Sequence, residues 1–346
     1  MGEVIEFRSS TRQVKLLTPP SFVEDIQTIE YRQDPLTGAT CRINARRARR
    51  PKQAPALPEP AEVANPGNCP FCPENIERAT PRFPDDFSPH GCIRKEQCRL
   101  FPNLFPLAEH HAVAVLTEAH FVPAAGFAAS DIMNSLAATL EYLSLIHRQN
   151  PRAEYPLYVW NHLPPSAASI IHPHIQVLAD RQPTSYQHRL LEASREHQER
   201  TGRNFWLELV EEEKKRGVRF IGEAGAISAL ASYAPQGNRE VLMVFRKASS
   251  LADLDAGLIA DFAQVVVSLL RGYHETGVSS FNLTTFSGPY GEALGYYNLN
   301  AKLIARPAFQ SFYRNDTGVL ERLHGEADIE MEPEQVAVQM RASFRS

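Results

Sequence analysis

Between Ile171 and Ala179 the chain reads Ile-His-Pro-His-Ile-Gln-Val-Leu-Ala, which spaces His172, His174 and Gln176 two residues apart. Successive side chains of a strand turn to opposite faces, so these three polar groups share one face and Ile171, Ile175 and Val177 the other. A neutral imidazole is both a nucleophile and a metal ligand near pH 7, and a carboxamide can donate to an anionic oxygen. The set therefore suits phosphate chemistry or a metal; the plainer alternative is two half-buried histidines making ordinary hydrogen bonds. Pro173 has no N–H for a ladder, which predicts an edge strand or a bulge.

Two further groups stand out. Cys69 and Cys72 lie in Asn-Cys-Pro-Phe-Cys-Pro-Glu-Asn, with the Cys-x-x-Cys spacing that lets two thiolates of one turn take adjacent corners of a tetrahedral zinc. A redox pair is the rival, but such pairs sit between a strand and a helix, and Pro and Asn surround this one. Cys92 and Cys98 could complete a four-cysteine site, and His90, His110, His111 and His120 compete as ligands. Upstream, Asp34-Pro35-Leu36-Thr37-Gly38 is a turn signal followed by Arg46, Arg47, Arg49, Arg50 and Lys52. That basic cluster reads as a phosphate site, a nucleic-acid patch or a solvated surface.

The elements that must position these groups follow from periodicity. Residues 1–30 read as peripheral, and 51–66 as a Pro- and Ala-rich linker. Strands are predicted over 98–107, ending in a Pro-punctuated loop, over 112–116, and over 155–161. Ser130 is expected to cap a helix over 131–147. A charged amphipathic segment spans 185–216, followed by strands near 219–221, 226–232 and 241–245. A helix over 254–273, strands over 280–285 and 296–305 and a terminal helix over 335–342 complete the chain. The order strand, helix, strand, loop, polar strand runs from His111 to Gln176 and again, over nearly the same length, from Glu240 to Lys302. Asn298, Asn300 and Lys302 stand where the first copy has His172, His174 and Gln176. This points to an internal duplication whose second copy has lost its histidines, with both copies in one sheet.

Composition bounds the function. The chain has 346 residues, 43% of them hydrophobic and 22% charged, as in a soluble globular protein, and a net charge of −4. The charge argues against a general nucleic-acid partner. No apolar run approaches the roughly 18 residues that span a bilayer, and the first residues lack signal-peptide features. Five cysteines, an odd number clustered early, fit a reducing cytoplasm better than a disulfide framework. A cytoplasmic enzyme without membrane or nucleic-acid partners is the expectation.

Taken together, these motifs resemble the galactose-1-phosphate uridylyltransferase branch of the histidine-triad superfamily, from about Tyr31 to about Arg341. The resemblance is carried by Asp34 to Gly38 with Arg47-Ala48-Arg49-Arg50-Pro51, by Cys69 and Cys72, by Phe101-Pro102-Asn103-Leu104-Phe105, by His120, and by the run from Asn161 to Gln176. It implies an α+β fold of two tandem histidine-triad-like repeats in a mostly antiparallel sheet flanked by helices. Residues 1–180 would form the catalytic half and 181–346 the degenerate half. It further implies zinc on Cys69, Cys72, His120 and His172, a nucleophile in His174, and stabilisation of the phosphoryl group by Gln176. Arg47, Arg50, Phe101, Asn103, Asn161 and Ser169 would contact substrate. The activity would be ping-pong transfer of a nucleoside monophosphate to a phosphate-bearing acceptor through a nucleotidyl-histidine.

UDP-glucose:hexose-1-phosphate uridylyl transfer is the nearest reading in motif order. Relatives using adenylyl donors stay open: diadenosine tetraphosphate phosphorylases, ADP-glucose phosphorylase and adenylylsulfate:phosphate adenylyltransferase. So do a nucleotide hydrolase, a non-catalytic zinc nucleotide-binding protein, and a homodimer. Departures from the pattern are Leu163 and Ala167 at positions the family gives to glycine, and Leu104 in place of an acid near the ribose. Leu320 and Ala327 replace polar groups in the sugar-binding segment, where Glu321 is retained. The second copy lacks the histidines for an iron site.

Overall fold

The computed structural model describes residues 5–49, 66–308 and 316–344. Arg50 and nearly all of the expected 51–66 linker lie outside them. Strands β1 (Arg8–Thr18), β2 (Val23–Gln33) and β3 (Thr40–Ile43) precede the first repeat. That repeat holds helix α1 (Pro73–Ala79), strands β4 (Ile93–Lys95), β5 (Cys98–Pro102) and β6 (His110–Val115), helix α2 (Ala129–Gln149), and strands β7 (Tyr155–His162) and β8 (His174–Asp180). Helices α3 (Ser185–Thr201) and α4 (Phe205–Arg216) lead to the second repeat. Its members are β9 (Phe220–Ala224), β10 (Ile227–Ala231), β11 (Val241–Phe245), helix α5 (Ala256–Glu275), β12 (Ser280–Phe286) and β13 (Asn300–Arg306). Helix α6 (Val319–His324), β14 (Ala327–Ile329) and helix α7 (Pro333–Phe344) end the described chain.

The fold is α+β, and its main sheet has the strand order β4-β5-β6-β8-β7-β12-β13-β11-β10-β9. Its pairings are antiparallel. The two halves mirror each other about the β7–β12 junction, where Asn161 pairs with Asn282 and Trp160 with Leu283. The expected duplication is thus visible as topology: β6, α2, β7 and β8 correspond to β11, α5, β12 and β13.

Helix formation follows the apolar spacing. Ile132, Leu136, Leu143 and Ile146 recur at intervals that keep them on one stripe of α2, and all are buried against the sheet. Burying each contributes about 1.5–3 kcal/mol. Helix α5 is 20 residues long and apolar enough in length and composition to cross a membrane. Its buried face, including Leu258, Phe262, Val266, Leu269 and Tyr273, belongs to the same core cluster as α2 and both halves of the sheet.

Two expectations are corrected, and residues read as peripheral gain a defined form. The strand carrying His174 is central, between β6 and β7, and not at an edge. Pro173 directly precedes it, so no ladder donor is lost, and its carbonyl accepts the Leu116 N–H at 3.0 Å. His172 consequently lies outside the strand and is not bound to the face of His174. Helix α2 begins at Ala129, and Ser130 lies inside its first turn; Asp131 closes the end by accepting the Ala128 N–H at 2.9 Å. Residues 8–33 are a long hairpin, β1 with β2, in a second sheet of order β1-β2-β3-β14. Arg32 ties this sheet to α7, donating to Glu30 at 2.9 Å and Glu334 at 3.0 Å.

Candidate functional site

The site is built where β8 leaves Pro173. His174 Nδ1 lies 2.8 Å from the His172 carbonyl oxygen. A carbonyl only accepts, so Nδ1 carries the proton and Nε2 keeps its lone pair. Burial lowers the His174 pKa, with the bond to the His172 carbonyl opposing it, so the neutral ring prevails at pH 7. His172 is held in the opposite tautomer: its Nε2 lies 2.8 Å from the Thr117 carbonyl, so Nδ1 is the bare nitrogen.

That bare nitrogen faces the cysteines. His172 Nδ1 is 3.8 Å from Cys69 Sγ and 3.6 Å from Cys72 Sγ, and His120 Nδ1 is 3.3 Å from Cys72 Sγ. The four ligand atoms all lie within 4.8 Å of one another. A tetrahedral zinc with bonds of about 2.3 Å to sulfur and 2.0–2.1 Å to nitrogen needs ligand atoms roughly 3.3–3.8 Å apart, so the spacing fits. Without a cation the pair is electrostatically awkward: burial first, then Cys69, pushes the Cys72 thiol up to about 12. A divalent cation removes that conflict by taking both thiolates. Cys92 packs against the same apolar cluster as Cys69 and Cys72 but is bonded by Arg94 and is not among the four clustered ligands, and Cys98 lies in the main core. A four-cysteine site is not what the fold assembles among the described residues.

Around His174 the strands bring further groups together. Val115 and Val113 of β6 oppose His174 and Gln176. The Phe71 ring meets the His174 ring edge-on at 5.3 Å and lies 5.7 Å from Phe101. A recess of about 110 Å³ lies beside Phe71 and Val115, lined also by Ile76, Arg99 and Thr117; His174 is not among its lining residues. A larger recess of about 240 Å³, lined by residues such as Arg8, Asp34 and Arg200, shares no wall with it, and neither recess is lined by His172 or His174. The histidine site is therefore picked out by its chemistry and not by either recess.

Asn103 Nδ2 lies 3.4 Å from Gln176 Oε1. Asn161 accepts at 2.6 Å from Asn282 of the second repeat, which in turn accepts from Arg306 at 2.7 Å. Ser169 is exposed in the loop before β8. Arg47 is in the small-sheet region and pairs with Asp328; Arg50 is outside the described residues. Two neighbours escaped sequence reasoning. Asn282 comes from the distant half, and His111 was visible only as a competing metal ligand. Its bond to Gln176 at 2.9 Å depends on strand adjacency.

The loop between β7 and β8 bears out the notice drawn by its missing glycines. Leu163 has φ 69° and Ala167 φ 71°, in the left-handed region where a Cβ is unwelcome. Leu163 is buried, but Ala167 is exposed. Ala167→Gly is therefore expected to stabilise the protein by up to about 1 kcal/mol, read as a rise in the denaturation midpoint. An unchanged or lower midpoint would argue against a strained loop.

No family model matches the chain. An uncharacterized protein of Archaeoglobus fulgidus is 30% identical over 339 residues, covering 97% of this chain and 98% of its relative. Among solved structures, an ADP-glucose phosphorylase from Arabidopsis thaliana with bound ADP-glucose has a TM-score of 0.71 at 20% identity, over 91% of this chain and 98% of that one. A GalT-like protein from Arabidopsis thaliana gives 0.69 at 17% identity, over 90% and 98%. A uridylyltransferase gives 0.68 at 20% identity, over 91% and 98%.

Proposed function

From a chain that belongs to one family with the Archaeoglobus fulgidus protein, and whose fold is that of the galactose-1-phosphate uridylyltransferase-like histidine-triad proteins, we propose a nucleotidyltransferase acting through His174. The observation that carries this reading is the fixed tautomer: His174 Nδ1 is spent on a carbonyl, leaving Nε2 as a bare nucleophile.

In the first half-reaction His174 Nε2 attacks the α-phosphorus of the donor. An N–P bond forms, the P–O bond to the leaving group breaks, and that oxygen takes the electron pair. The ring becomes cationic, and the His172 carbonyl on Nδ1–H stabilises it. Gln176 donates to a non-bridging oxygen. Phe71 and Phe101 are proposed as an apolar wall for the base, and Asn103 and Asn161 as contacts for ribose and phosphate. Ser169, Arg47 and Arg50 are proposed as phosphate contacts. In the second half-reaction an acceptor phosphate oxygen attacks the same phosphorus, and the imidazole leaves neutral. Zinc on Cys69, Cys72, His120 and His172 would supply a closed structural tie, with no open position for substrate. The chain's own contribution there is to hold the His172 carbonyl against His174.

A uridylyl donor with a hexose 1-phosphate acceptor follows from motif order. Two observations favour the adenylyl reading beside it. Leu104 stands in place of an acid near the ribose and is exposed. Ala327 is buried in β14, packed with Cys41, Ile43 and Ile329, and so presents no polar group to a hexose. Incubation with radiolabelled UDP-glucose, ADP-glucose or adenylylsulfate separates the readings: one donor is expected to leave an acid-labile label on the protein. Steady release of monophosphate without an acceptor would mark a hydrolase. No label from any donor would leave a zinc protein that only binds nucleotides.

A further inference from the structure

Gln176 can serve a phosphoryl oxygen only if its amide nitrogen, and not its carbonyl oxygen, faces the substrate. The surroundings decide this. The Leu107 N–H points at His111 Nδ1 over 3.0 Å, so that nitrogen accepts and the proton sits on Nε2. His111 Nε2 is 2.9 Å from Gln176 Oε1. Asn103 Oδ1 accepts the Phe105 N–H at 2.8 Å, which turns Nδ2 toward both the same Gln176 oxygen at 3.4 Å and His111 Nε2 at 3.2 Å; with the proton on Nε2, both groups donate to that oxygen. Two donors thus hold the oxygen. Among the described residues the Gln176 nitrogen has no partner, and it is left to donate. The opposite tautomer of His111 would set its Nδ1–H against the Leu107 N–H, donor against donor.

We propose that His111 is the positioning residue for Gln176, passing the placement of the 103–109 loop through Leu107 N–H, His111 and the Gln176 oxygen to the phosphoryl-binding amide. The inference rests on the nucleotidyltransferase reading for its rate consequence, but not for its geometry. The loop supports a relay of this kind. Leu104, Phe105 and Leu107 are 65%, 79% and 83% exposed, so the loop is tied down by backbone and polar bonds and not by its apolar side chains. His111 itself is buried, and burial, with the Gln176 bond opposing, lowers its pKa and keeps one nitrogen free to accept.

Two measurements test it. Nitrogen-15 NMR of histidine-labelled protein should find His111 protonated on Nε2 and His174 on Nδ1; His111 protonated on Nδ1 overturns the relay whatever the enzyme does. Single-turnover labelling then gives a double-mutant cycle. His111→Phe keeps the ring and removes the donor, and should slow nucleotidyl-His174 formation by about 10-fold or more while nucleotide binding stays within about 2-fold. His111→Gln, which restores an N–H donor, should recover most of the rate. In a Gln176→Ala background His111→Phe should cost nothing further. An equal slowing in both backgrounds would show that His111 acts by another route and overturn the inference, while labelling itself would leave the enzyme reading standing. Wild-type protein that no donor labels would instead sink the reading, and the tautomer result would still judge the geometry.

Discussion

His174→Gly is expected to lower nucleotidyl transfer by at least about 10⁴-fold, the scale seen when a covalent nucleophile is removed from an enzyme. The His174 Nε2 lone pair is left uncommitted by the local hydrogen bonds, whereas the other bare imidazole nitrogen beside it, His172 Nδ1, faces the cysteines. Zinc content should be unaffected, because His174 is not among the four clustered ligands. A glycine in a central strand weakens it, so His174→Asn is the companion variant. Its amide can still donate to the His172 carbonyl, but it has no nucleophilic nitrogen. Loss of transfer in both, with metal and melting midpoint retained in the asparagine variant, identifies the nucleophile. Undiminished turnover would place the nucleophile elsewhere or remove the covalent step.

Cys69→Ser should strip the metal, about one zinc per chain in the parent, and destabilise the fold. Structural zinc sites couple binding to folding with free energies on the order of 10 kcal/mol. Losing even a fraction of that lowers the melting midpoint by on the order of 10 °C. The reason lies in what the cluster joins. Cys69 and Cys72 precede α1, His120 follows β6, and His172 precedes β8. One ion on these four residues would therefore fasten three separate segments at the root of the strand that carries His174. Transfer should fall with the metal, since the His172 carbonyl that orients His174 would lose its anchor. Cys92→Ser and Cys98→Ser serve as comparisons. Both should keep the metal, and metal loss in that pair with retention in Cys69→Ser would overturn the ligand assignment.

How far the sequence reached depends on whether a feature is local or made by distant strands. The Cys-x-x-Cys knuckle and the alternation of His174, Ile175, Gln176 and Val177 are local, and a period of two is enough to read them. The duplication was legible because the order of elements repeats, even though the histidines do not. The hairpin of β1 and β2 was not legible. Arg-Ser-Ser-Thr-Arg-Gln-Val-Lys is exposed along nearly its whole length, so no alternation of apolar residues marks it. Pro173 misled because a proline immediately before a strand costs no ladder bond, and only the strand's first residue distinguishes that case from an edge. His111 was invisible as a partner of Gln176 because β6 and β8 are adjacent in space and far apart in sequence. The same holds for Asn282, which reaches Asn161 across the pseudo-symmetric junction.

The most direct test of the central claim is to mix wild-type protein with a labelling donor in the absence of acceptor, quench in base, digest, and map the modified peptide by mass spectrometry. The expected result is one nucleoside monophosphate on the peptide containing His174, stable to alkali, lost in acid, and discharged when a phosphate acceptor is added. An adduct on any other residue, or turnover with no adduct at any time, would contradict the mechanism built on that imidazole.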